Sequence, residues 1–161
     1  HQSLVPRLEL TLETKKYASC YDYTPCITAE ETNGEIKIRS EMELKDMMHQ
    51  PSDHHVFGCL EYTVTDHYVK ITGVTKALSN TVPAFILPVI GKHHMGISET
   101  KEGFMIPRES GVLQINISNK DNIEKPQPIF CLSGGFEAWE FVIKPDESGM
   151  LQVTIQVEEE K

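Results

Sequence analysis

Leu151-Gln152-Val153-Thr154-Ile155-Gln156-Val157 alternates apolar and polar residues without a break. In an extended chain successive side chains point to opposite faces, so Leu151, Val153, Ile155 and Val157 share one face and the polar residues the other. An amphipathic helix would need apolar spacings of three and four instead. The same period of two returns at Leu113, Ile115 and Ile117 between Gln114, Asn116 and Ser118, and at Leu8, Leu10 and Leu12 between Glu9, Thr11 and Glu13. Ile36, Ile38, Met42 and Leu44 alternate with Lys37, Arg39, Glu41 and Glu43. Strands with one buried and one wet face call for antiparallel sheets packed face to face.

Working outward, strands are expected over 7–13, 26–29, 34–44, 56–64, 67–73, 84–90, 94–98, 103–106, 111–118, 129–132, 138–144 and 150–157. Asn33-Gly34 marks a two-residue hairpin, because both residues accept the positive φ of a type I′ turn. Thr65-Asp66 suggests a second hairpin, and Asp146-Glu147-Ser148-Gly149 a third that joins the last two strands. Residues 119–128, polar with Pro126 and Pro128, read as a loop. Helix is confined to a turn near Asp46 to His49. The expected fold is an all-β antiparallel sandwich, jelly-roll or supersandwich-like, with residues 1–161 as a single domain. His1 is not an initiator methionine, so the chain is read as a fragment or C-terminal module of a longer protein.

Fifteen basic and 24 acidic residues give a net charge of -9. That field repels phosphate backbones, which excludes nucleic acid as the expected partner. The longest apolar stretch, Val82 to Ile90, is broken by Pro83 and Pro88 and falls short of the ~20 residues of a membrane span. The four cysteines lack the spacing of a zinc ribbon. Cys20 and Cys26 flank a turn, so a local disulfide between them competes with two free thiols.

Histidines and carboxylates define one candidate site: His49, Asp53, His54 and His55 in a first cluster, His93 and His94 in a second. Such residues suit a transition metal such as zinc on a β-sandwich or cupin-like scaffold. However, neighbouring histidines in an extended chain split across faces, and the His-x-His pair of a cupin is missing. The favoured expectation is no cofactor, with rim histidines. A nucleophile elbow is also absent, since Ser133-Gly134-Gly135 has no preceding Gly-x. Glu137 and Glu140 flank Trp139 and read as solvated side chains, with Trp139 as a core anchor. The isolated chain is therefore not expected to turn over substrate. A second candidate site is the cluster Tyr17, Tyr21, Asp22 and Tyr23, where aromatic rings could stack on sugars and Asp22 accept hydroxyl hydrogens.

Together with the antiparallel run, Leu87-Pro88-Val89-Ile90 and Gly135-Phe136-Glu137-Ala138 resemble the C-terminal β-sandwich of heparinase II/III-like polysaccharide lyases and related carbohydrate-active enzymes. The resemblance covers most of the chain and carries no catalytic residue onto it. It implies a non-catalytic accessory module of a secreted or periplasmic polysaccharide lyase or glycoside hydrolase. The implied partners are the parent catalytic domain or a glycan, neutral or basic given the net charge. The rival expectation is a small histidine-based metal-binding protein or metalloenzyme.

Overall fold

The computed structural model describes residues 4–76, 82–92, 96–118, 120–132 and 135–159. The strands are β1 (Arg7–Leu12), β2 (Lys15–Ala18), β3 (Cys26–Thr32), β4 (Glu35–Glu43), β5 (Phe57–Val64), β6 (Tyr68–Lys76) and β7 (Ala84–Lys92). They continue with β8 (Ser98–Glu99), β9 (Gly103–Arg108), β10 (Gly111–Ile117), β11 (Ile123–Leu132), β12 (Phe136–Ile143) and β13 (Met150–Glu159). The only helical pieces among the described residues are 3-10 turns at Ser19–Tyr21 and Lys120–Asn122. No described helix is long and apolar enough to cross a membrane. The strands form two antiparallel sheets: five in the order β11-β12-β7-β1-β2, and eight in the order β3-β4-β5-β6-β13-β10-β9-β8. This is the all-β sandwich that the alternation requires.

The core lies between the sheets. Leu8, Phe85, Phe141 and Ile143 from the smaller sheet meet Leu60, Ile71, Ile106, Ile115 and Val153 from the larger, all at most 2% exposed. Phe104 and Phe141 join the sheets edge to face, with ring centroids 5.2 Å apart, a favoured arrangement of ring quadrupoles. Gly58 marks a close approach of the sheets: a Cβ there would lie 2.2 Å from Leu8 Cδ1.

Asn33 (φ 53°) and Gly34 (φ 78°) both adopt positive φ and close the β3–β4 hairpin at the Thr32–Glu35 pair, as a type I′ turn does. The hairpin at Thr65-Asp66 also forms, joining β5 to β6. Other expectations are corrected. Residues 146–149 do make a turn, but not a hairpin: β12 pairs with β11 and β7, whereas β13 pairs with β10 and β6. The chain changes sheets there, immediately after buried Pro145. The proline-bearing segment expected as loop is largely strand β11. It sits at the edge of the smaller sheet, where a residue without N–H is tolerated, and its register shifts between Glu124 and Gln127 and between Pro128 and Phe130. β2 went unseen because it is four residues long and begins Lys15-Lys16. Of the strand expected at 94–98, only Ser98 is seen as strand, opening the short β8; residues 96 and 97 are not strand, and residues 93–95 lie outside the described residues. The single turn expected near Asp46 to His49 does form, closed by the His49 N–H on the Asp46 carbonyl at 2.9 Å. β4 ends at Glu43, and Asp46 Oδ1 accepts the Met48 and Gln50 N–H groups in a tight turn.

Two acids read as solvated are enclosed instead. Glu137 is 5% exposed, because it falls opposite Gly91 on the inward side of β12, in line with Trp139 and Phe141. Glu9 is nearly covered, and its carboxylate takes Arg7 Nε at 2.8 Å and Lys16 Nζ at 2.5 Å. Arg7, also buried, reaches across β7 to Glu140 at 3.3 Å.

Candidate functional site

The registers place Cys26, Glu41, Cys59 and Val74 side by side on β3, β4, β5 and β6. They lie on the face opposite Leu60, hence on the outer surface of the larger sheet. Phe57, Arg39 and Glu43 share that face by the same alternation. Asp22, Thr24, Lys45 and His55 come over it from loops and complete a groove of about 830 Å³. Phe57, 51% exposed, and the thiols make a mostly apolar floor under a charged rim.

The rim is a chain of satisfied charges. Burial disfavours ionisation of Asp22, but the Lys45 ammonium at 2.8 Å and the Glu43 and Thr24 N–H groups at 2.9 and 3.1 Å outweigh it. They hold the carboxyl down to about 2. The His55 ring meets Glu43 Oε1 through Nδ1 at 2.7 Å. Arg39 donates to Glu41 at 2.8 Å. Burial pushes the Cys59 thiol up against the opposing pull of Arg39, and likewise raises Cys20 against Arg7. Raised thiols are poor nucleophiles. Cys20, Cys26 and Cys59 are all free, so the local disulfide is not formed.

The tyrosine cluster divides. Tyr17 belongs to the core at 8% exposure, on β2. Tyr21 is half-buried, and its carbonyl accepts from His49 Nδ1 at 3.0 Å. Tyr23 stands out at 74% exposure, its ring 4.1 Å from that of His49. Asp22, between them, turns instead to Lys45 and lines the groove. Of the metal candidates, His49 is engaged with Tyr21 and Tyr23, and His55 with Glu43. Asp53 and His54 sit exposed in a turn, and His93 and His94 lie outside the described residues. Among the described residues no group of three or more His, Cys, Asp or Glu side chains could hold a metal.

Sequence reasoning missed the groove residues Arg39, Glu41, Phe57 and Cys59. Their shared parity on β4 and β5 was readable, but the pairing that aligns them was not.

The fold is a two-sheet antiparallel sandwich, and the charged rim of its groove is paired within the domain. The ulvan lyase C-terminal domain matches residues 1–158, and the chain belongs to that family. Among curated proteins none matches it. The chain is an accessory β-sandwich module of a polysaccharide lyase. The match supports the general likeness to polysaccharide lyase C-terminal domains, not to heparinases specifically.

Proposed function

We propose that this module acts by packing on the catalytic domain of its parent lyase and bracing it, not by gripping the polymer. Charge carries the reading. Eliminative cleavage acts beside a uronate carboxylate, so a lyase substrate is a polyanion, whereas this chain carries -9. Eight of its 15 lysines and arginines are also already paired. Arg7, Lys16, Lys37, Arg39, Lys45, Lys92, Lys120 and Lys144 each have a carboxylate partner. The parent, named by its family for ulvan, is assigned to the outside of the cell or the periplasm, since an intact polysaccharide cannot cross a membrane.

The test is deletion of the module from the parent enzyme. A fall in the melting temperature of the catalytic domain, with KM for polymer nearly unchanged, is the expected result. A large rise in KM at unchanged melting temperature would assign the module to substrate capture. One observation favours a second, lesser reading: the exposed Tyr23 ring, steadied by His49 beside the groove, is shaped for stacking on a sugar. In that case Tyr23→Ala would weaken retardation of the module in a glycan-containing gel, and unchanged retardation would retire the idea.

A further inference from the structure

Open sheets have edges, and an edge strand offers unpaired N–H and C=O groups to any passing chain. The sandwich has four edges, formed by β2, β3, β8 and β11. Three are blunted in familiar ways. β2 has four residues and two leading lysines, β8 has two residues, and β11 carries prolines and register shifts. β3 has seven residues, no proline, and an unshifted register against β4, and every residue in it is exposed.

Its open side can be specified. In a two-residue hairpin the pair that closes the turn is hydrogen-bonded, and bonded pairs then alternate. Counting back from Thr32–Glu35, the backbone groups of Ile27, Ala29 and Glu31 point away from β4. Those same residues lie on the inward face, in line with Ser40 and Leu60 by register. Burial fades along that line: Leu60 is 1% exposed, Ser40 intermediate and Ile27 61%. Ile36, 40% exposed, adds to the apolar strip beside Ala29 and Ile38. The smaller sheet stops short of this part of the larger one.

Building on the packing reading above, we propose that the catalytic portion of the parent lyase docks here, adding an extended segment to β3, with apolar side chains over Ile27, Ala29 and Ile38 and a cation at Glu31, which pairs with Ile36 on the same face. Charge selects this occupant. Glu30 and Glu31 on the edge favour a partner segment bearing lysine or arginine, and they repel a uronate polymer. A second copy of the chain would bring another -9. A domain in the same polypeptide is present at an effective concentration of order millimolar, so a modest surface suffices.

Hydrogen exchange on the intact parent enzyme tests this, with the 161-residue chain alone as reference. The amides of Ile27, Ala29 and Glu31 are expected to be protected at least about tenfold in the enzyme relative to the chain alone. Ala29→Pro removes one outward N–H that the ladder of this fold does not use, and should abolish that protection with circular dichroism unchanged. Should that variant misfold, Ile27→Lys serves, since it alters only an exposed side chain. Protection on another face of the module and none at β3 would overturn this inference while leaving the packing reading intact. Identical exchange throughout would overturn both. Concentration-dependent protection of β3 in the chain alone, with dimer in sedimentation, would assign the edge to a second copy and overturn the proposal.

Discussion

Phe141 and Ile27 are both apolar residues at inward positions of antiparallel strands, yet Phe141 is fully buried and Ile27 is 61% exposed. Phe141 lies on β12, one strand in from the edge of the smaller sheet, and meets Phe104 across the interface. Ile27 lies on β3, where the larger sheet runs past its shorter partner. Alternation tells which way a side chain points. Whether anything is there to meet it depends on the opposite sheet. The covered half of the molecule supplies its stability, and the uncovered half is the surface proposed above for a partner.

Truncation in the covered half should be the most damaging. Phe141→Ala deletes a ring from a fully enclosed site, and a loss of about 3–5 kcal/mol is expected from transfer and cavity terms together. Chemical denaturation with an unchanged m-value would measure it; a loss below ~1 kcal/mol would mean that this interface is loosely packed. Next comes Arg7→Ala, which leaves Glu140 and part of Glu9 uncompensated on the outer side of the smaller sheet. A cost of about 3 kcal/mol is expected for breaking a buried ion pair from one side.

The loop that spans the two halves should respond to pH. Asp22 is held well below its ordinary 3.8, at about 2. Its stabilisation is therefore complete above pH 3.8 and fades as the pH falls toward 2. Asp22→Asn should cost about 1.5–3 kcal/mol at neutral pH, the range for hydrogen bonds to a charged group. It should also flatten the stability profile across that acid window. A variant that kept the full acid slope would show that other carboxylates produce it.

The overhang should be more forgiving. Gly34→Ala forces a Cβ into φ 78° at the turn, and about 1 kcal/mol is expected. Ile27→Lys should move the melting temperature of the chain hardly at all, within ~0.5 kcal/mol, because nothing covers the side chain. If it destabilised the chain as much as Phe141→Ala, the distinction between the two regions would collapse.

The candidate sites separate along similar lines. The tyrosine cluster was visible as three rings close in sequence, but β2 carries Tyr17 inward while the following turn leaves Tyr23 outside. The histidines 49, 54 and 55 were visible as neighbours as well. Left-handed φ at His49 and His55 turns their rings toward different partners, so nearness in sequence did not become convergence. The groove was invisible because its members come from four strands and two loops, and only register brings them together.

By itself the sequence determined the period of two, hence strands with distinct faces, and the Asn33-Gly34 turn, since both follow from steric rules that act over a few residues. Tertiary structure alone decided that β12 and β13 belong to different sheets, that prolines 126 and 128 sit on a strand edge, and that Glu137 is enclosed. It also decided that five strands would cover only part of eight. Burial depends on what lies about 10 Å away across the sandwich, and no local pattern carries that information.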